Sequence, residues 1–260
     1  MDLGIRNRRA FVCGSSQGLG LACARALARE GAEVWLNGRD AEKLARTVEA
    51  LRAELPDAVI HAIAADLNSA EGRAAIVATL SELDILVTNN AGPPPGALED
   101  WDEAALAGAM NANFVPAVQL IRAFLPGMRA RRFGRIVNIT SAMVKSPHYM
   151  MGLSTSARAA LTAISKAISR EVVADNVTIN NILPERIDTP RQDFMAKRLM
   201  QQAGISYEEA RSRAASTIAA KRYGSPEEFG DACAYLCSAQ AGFISGQNLQ
   251  LDGGSYEGLI

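Results

Sequence analysis

A three-layer α/β domain built on a doubly wound parallel sheet is the fold class this sequence predicts, and three observations predict it. Short β-branched and apolar runs alternate along the whole chain with longer segments of helical period, the pattern of parallel strands joined by crossover helices. A glycine-rich turn, Gly14-Ser15-Ser16-Gln17-Gly18-Leu19-Gly20, joins the first apolar run to the first helical one. No linker, low-complexity tract or internal repeat interrupts the chain, so a single domain over 1–260 is expected.

Taken in order, the first strand is expected at 9–13 and a helix of apolar period at 19–30. A strand at 33–36 leads to a helix at 41–54, and a strand at 59–64 to a helix at 70–80. Strand 85–88 is followed by a long helix at 104–130, strand 135–139 by a helix at 153–174, and strand 178–183 by an insertion at about 190–223. That insertion reads as two helices, the second opened by a capping box at Ser206 and Glu209. The last helix, 226–238, has Ser225 to cap it, Pro226 for its first turn and Glu228 to complete the box; a seventh strand at 248–251 ends the fold.

Of 260 residues 48% are hydrophobic, enough for a full core, and the net charge is −1 with signs interspersed. There is no basic face for nucleic acid and no general attraction to an anionic membrane, so small molecules or further copies of the chain are the expected partners. Cys13, Cys23, Cys233 and Cys237 form no C-x-x-C pair and no Cys/His cluster, which argues for reduced core thiols and against a metal site. Residues 1–9 lack an apolar h-region and no run of about 18 apolar residues occurs, so a soluble cytoplasmic protein is expected.

The glycine turn suits a diphosphate. Backbone N–H groups at a helix start are unpaired and carry the positive end of its dipole, and glycines let an anion approach them. A ligand-free turn is the alternative, and the residues at the other strand ends argue against it. The second strand ends in Gly38-Arg39, where an NAD-preferring Rossmann-type protein carries a carboxylate on the ribose 2′-hydroxyl. Arg39 pairs instead with a 2′-phosphate, which points to NADP(H) over NAD(H), or else it is a solvated helix opener. Asp66 either accepts from an adenine amino group or serves as turn and capping chemistry before Asn68 and Ser69.

With Asn89-Asn90-Ala91-Gly92, Asn113, the run Gly134 to Ser141 and the terminal Gly246 to Gly254, the chain resembles the single-domain short-chain dehydrogenases/reductases over nearly its whole length. The resemblance implies a seven-stranded sheet, a nicotinamide cofactor, a carbonyl or alcohol substrate and a homo-oligomer, commonly a tetramer built on helices 104–130 and 153–174. It implies a cofactor site drawing on Gly14, Ser16, Gln17, Gly18, Leu19 and Gly20, then on Asp66, Leu67, Asn90, Ala91 and Gly92, and finally on Pro184, Ile187 and Thr189. Its catalytic asparagine falls on Asn113 and its catalytic serine on Ser141.

The next motif departs from the family. Where Tyr-x-x-x-Lys is expected, the chain has Ser154 and Arg158. Arg158 stands one helical turn from Ser154 and can keep the lysine's contact with the nicotinamide ribose. Ser154 cannot simply replace the phenol, since a hydroxyl pKa of about 15.7 against about 10 amounts to on the order of 8 kcal/mol. Tyr149, Lys145, His148 or a water held by Ser141 and Ser154 are the substitutes to weigh, each also readable as an exposed loop group. Tyr149 leads because an extended 143–151 loop would bring its phenol to the site.

Glu185 replaces the glycine of the family's Pro-Gly-x-x-x-Thr, implying an altered backbone or a carboxylate near the substrate. The resemblance makes 190–223 a substrate lid, whose Met195, Leu199, Met200 and Ile205 line a pocket or are the packed face of a helix. Arg186 and Arg191 either recognise a carboxylate or phosphate or face solvent. Two functions follow as expectations: an NADP(H)-dependent oxidoreductase with a rebuilt proton donor, or a dinucleotide-binding sensor or partner subunit of the same fold.

Overall fold

The computed structural model describes residues 1–259; Ile260 lies outside them. The strands β1 (Arg9–Val12), β2 (Glu33–Gly38), β3 (Ile60–Ala64), β4 (Ile85–Thr88), β5 (Gly134–Ile139), β6 (Val177–Pro184) and β7 (Asn248–Leu251) form one sheet in the order β3-β2-β1-β4-β5-β6-β7. Every neighbouring pair is parallel. The helices are α1 (Gly18–Arg29), α2 (Ala41–Glu54), α3 (Ala70–Thr79), α4 (Glu103–Asn113), α5 (Val115–Ala130), α6 (Gly152–Val172), α7 (Pro190–Ala203), α8 (Tyr207–Ser216) and α9 (Pro226–Cys237).

Side chains two apart on a strand share a face, and a parallel sheet buries both faces. Ala10 and Val12 of β1, Ile85 and Val87 of β4, and Val137 and Ile139 of β5 therefore join one core with α1, α2 and α9, where Leu27, Leu44 and Phe229 are buried. Phe11, Leu86 and Ile136 point to the opposite core, closed by Ile76 of α3, Leu120 and Phe124 of α5 and Val172 of α6. The four cysteines are buried free thiols, and burial pushes Cys13 up to about 12.

The helix expected at 104–130 is two helices. Taken as one it is long and apolar enough to cross a membrane, but the chain breaks at Phe114 (φ −124, ψ −61). A proline disfavours helical backbone in the residue before it and is tolerated in a helix's first turn. Pro116 accordingly falls in the first turn of α5, with the interruption just ahead of it, and Asn113 is left as the last residue of α4.

A row of buried polar side chains ties the C-terminal half of the sheet to α6. Thr88 Oγ1 donates to Asn138 Oδ1 (2.7 Å), and Asn138 Nδ2 donates to Asn181 Oδ1 and to Ser165 Oγ, both at 3.0 Å. Asn181 Nδ2 reaches Asn248 Oδ1 at 2.8 Å. The bond to Ser165 fixes the rotation of α6, the helix that carries Ser154 and Arg158.

Candidate active site

Strand order reverses between β1 and β4, so a crevice opens beyond their carboxyl ends, where open α/β sheets bind ligands. The glycine turn forms its first wall. Gly14 has φ +54, a left-handed conformation that favours glycine, and a Cβ on Gly20 would stand 2.5 Å from Gly14 O. Ser15 Oγ donates to Val12 O (2.7 Å) and accepts from Asn37 N (2.9 Å). The Asn37 amide accepts from Gly14 N at 3.2 Å and donates to Ile63 O and Ala65 O, both at 3.1 Å. One buried side chain thus ties the turn to β2 and β3.

Gln17 leads into α1 with extended backbone and no side-chain cap, which leaves the first N–H groups of the helix available to an anion. Ser16 packs beside Gly38, with 3.2 Å between its Cβ and a Cβ built there, and Leu19 lies against the core. Arg39 is exposed at the end of β2, and Lys43 Nζ donates to Gln17 Oε1, so cations stand on both sides of that mouth.

The opposite wall comes from β3 and β4. Asp66 Oδ1 accepts from Asn68 N (3.0 Å) while Ser69 caps α3, so the turn reading of Asp66 is the one its side chain displays. Leu67 is buried. Asn90 Nδ2 donates to Asn68 Oδ1 and Ala112 O, both at 2.8 Å, and Asn90 Oδ1 accepts from Ala91 N. Asn113 Nδ2 donates to Ala91 O (3.3 Å), whereas its buried Oδ1 has no partner in the protein. Beside it lies a cavity of about 20 Å³ lined by Thr88, Asn90, Asn113 and Arg158, above the roughly 10–15 Å³ that one water needs.

β6 ends at Pro184, and Glu185 N donates to Leu251 O, prolonging the pairing with β7. The altered backbone expected at Glu185 falls one residue later, on Arg186 (φ +51), whose Nε lies 3.7 Å from Glu185 Oε1. Ile187 is buried and bridges Gly224, which pins together the two ends of the 190–223 insertion. Thr189, the residue leading into α7, comes within 3.8 Å of a Cβ built on Gly18 and so faces the glycine turn across the crevice.

At the floor, Arg158 is buried and its Nε donates to Ser154 Oγ at 3.2 Å. Its Nη1 donates to Ile139 O (2.7 Å) and Thr140 O (3.0 Å). Nη2 makes no hydrogen bond among the described residues and stands 3.5 Å from a Cβ built on Gly92; Ser154 Oγ stands 3.7 Å from the same point. Burial first, then the charge of Arg191, lowers the Arg158 pKa to about 10. Ser141, just past β5, accepts from Met143 N (3.2 Å) through its Oγ.

The 143–151 loop is not extended. It contains short helical turns at Ala142–Val144 and Tyr149–Met151, and Tyr149 is held against another turn, its hydroxyl accepting from Leu98 N (3.2 Å) and its ring 6.0 Å from that of Trp101. Lys145 donates to Gln250 Oε1 and lies over the Tyr256 ring. Asn37 and Asn68 escaped the sequence reading: a polar residue at a strand end or in the turn beyond one has no local signature when its partners come from distant parts of the chain.

Residues 14–256 match the protein family described as enoyl-(acyl carrier protein) reductase. The NADPH-dependent reductase BacG of Bacillus subtilis is 31% identical over 97% of this chain and 99% of its own, and dehydrogenase/reductase SDR family member 4 of Bos taurus is 31% identical over 97% and 88%. The crystal structure of L-sorbose reductase from Gluconobacter frateurii, complexed with NADPH and L-sorbose, covers the whole of both chains at a TM-score of 0.94 and 31% identity. With a family model matched over residues 14–256 and relatives matched nearly end to end, the chain belongs to the short-chain dehydrogenase/reductase family.

Proposed function

We propose that this protein is an NADPH-dependent oxidoreductase that reduces a ketone to a secondary alcohol, with Ser141, Ser154 and Arg158 gathered around the reacting oxygen. The relatives named as NADPH-dependent reductases support the cofactor, as does Arg39 in place of a carboxylate after β2. The crevice suits a dinucleotide because the Gly20 cradle excludes a Cβ, the α1 N–H groups lack a cap, and Arg158 Nη2 keeps two donors for a ribose or substrate oxygen. Bound NADPH supplies the hydride.

One observation carries the assignment of Ser154. Its oxygen accepts from Arg158 Nε, which leaves its own proton free to donate elsewhere, and that oxygen stands 3.7 Å from a Cβ built on Gly92. Donation to a carbonyl oxygen there lets the two hydroxyls and the cation share the charge that grows on that oxygen. A cation about 4 Å away is worth about 4 kcal/mol at an effective dielectric of 20, and a hydroxyl donating to a charged oxygen about 1.5–3 kcal/mol. Together these offset most of the roughly 8 kcal/mol disadvantage of serine against tyrosine. Ser154 then relays a proton from water admitted by the crevice.

In this reading Tyr149 shapes the mouth of the crevice, the 190–223 insertion is its lid, and the protein works in the cytoplasm as a homo-oligomer. The test is NADPH consumption, followed by absorbance, against diketones, quinones and β-ketoacyl thioesters. Turnover that falls at least tenfold in Ser154→Ala is the expected result. Tight NADPH binding with no turnover on any carbonyl compound would leave the sensor or partner-subunit reading instead.

A further inference from the structure

Arg158 and Arg191 reach adjacent residues of one loop from two different helices. Arg158 Nη2 stands 3.5 Å from a Cβ built on Gly92, and Arg191 Nη2 donates to Pro93 O at 3.4 Å. Arg158 rises from the floor on α6, while Arg191 reaches over from the first turn of α7 at the exposed mouth. Neither makes an ion pair with a carboxylate of the described residues, and Arg198, the next cation along α7, makes none either. The charges are felt between them: the Arg158 pKa is lowered by burial and then by Arg191, and that of Arg191 by burial and then by Arg198.

A guanidinium has five N–H donors in a planar fork. Three of Arg158's bind Ser154, Ile139 and Thr140, all neutral, and the two on Nη2 have no partner among the described residues and lie beside Gly92. Arg135 is the instructive contrast. It is equally buried without a carboxylate, but its Nη2 donates to Asn176 Oδ1 and its guanidinium lies over the Phe133 ring. Nothing of that kind covers Arg158 Nη2. A buried cation whose free edge meets an open cleft, with a second cation at the rim, favours an anion between them, and the planar fork matches a carboxylate.

We infer that the substrate is an oxo acid, a ketone bearing a carboxylate that is gripped between Arg158 Nη2 and Arg191 at the Gly92-Pro93 loop. The inference rests on the NADPH-dependent reduction proposed above and adds the substrate class. The carboxylate anchors the molecule from the Arg191 side, leaving the ketone oxygen to Ser141 and Ser154 on the Nε side of the Arg158 cation.

Calorimetric titration with monomethyl malonate, a non-reducible mimic with one carboxylate, tests this in the full-length protein with and without saturating NADP⁺. Dimethyl malonate, which has no charge, is the control. Expected are binding of the monoester only, loss of at least tenfold in affinity in Arg191→Leu, a smaller loss in Arg158→Lys, which keeps the charge but not the fork, and weakening with added salt. In turnover, acetoacetate should exceed methyl acetoacetate at least tenfold in kcat/KM, and Arg191→Leu should erase the difference through KM. Equal binding of the two malonates, or no binding of either, overturns the inference, as does an Arg191→Leu variant that weakens NADP⁺ tenfold and the monoester not at all. Absence of NADP⁺ binding would instead refute the reductase reading, and the titration without cofactor would still decide the anion site.

Discussion

Replacing Arg158 with Met separates its electrostatic role from its bulk. Methionine keeps the apolar stem but removes the cation, so the growing charge on the substrate oxygen loses about 4 kcal/mol of stabilisation, or about three decades in kcat at 1.36 kcal/mol per decade. The same change strips Ile139 O and Thr140 O of their donor, at about 1–3 kcal/mol of stability for a buried acceptor left unmade. Arg158→Lys is the necessary companion, since it keeps a cation one turn from Ser154 and should recover kcat to within about a hundredfold of wild type. The assay is single-turnover NADPH oxidation beside denaturant unfolding, so that chemistry and folding are read apart. A pH profile adds an independent check: with the guanidinium pKa lowered to about 10, kcat should fall as pH rises through that value and the cation is lost. A folded Arg158→Met protein turning over within threefold of wild type would refute the reasoning.

Three further outcomes are expected. Gly20→Ala forces a methyl to 2.5 Å from Gly14 O, so the turn must shift, and fluorescence titration should show NADPH affinity reduced at least a hundredfold. Tyr149→Phe should leave kcat within twofold, because the phenol is held on Leu98 N rather than at Ser154; a tenfold loss in steady-state assays would restore Tyr149 as a proton donor. Glu228, whose bonds from Arg222 and then from Ser225 N hold its carboxyl at about 2, contributes stability that is present above its ordinary value of 4.5 and is lost as pH falls from 4.5 toward 2. In acid-unfolding curves Glu228→Gln should flatten that window and lower stability at every pH above it, leaving the slope on the alkaline side unchanged.

The sheet was legible because parallel strands buried on both faces leave short apolar runs, and each of the seven expected strands is present within a residue or two. The glycine turn and the Ser154/Arg158 substitution could be read locally, since both depend on spacing along the chain. What could not be read depends on how a local signal is resolved or on neighbours distant in sequence. Phe114 carries no sign that the helix breaks there; the break follows from Pro116 seeking a first turn. Arg186 takes the left-handed conformation where Glu185 was the suspect, because Glu185 is drawn into the ladder by Leu251 O. Tyr149 stands only five positions before Ser154, yet the short helical turn at Tyr149–Met151 directs the phenol to Leu98.

Asn37 carries a consequence for how fast and how selectively the crevice fills. Because one amide already bonds Gly14 N, Ile63 O and Ala65 O, the turn has little freedom left to lose when a dinucleotide arrives. Association should therefore be a single fast phase with no slow rearrangement behind it, and affinity should depend on the incoming phosphates rather than on ordering the protein. An Asn37→Ala chain would meet its ligand with a slack loop, and the slow step missing from the wild type would emerge in stopped-flow traces.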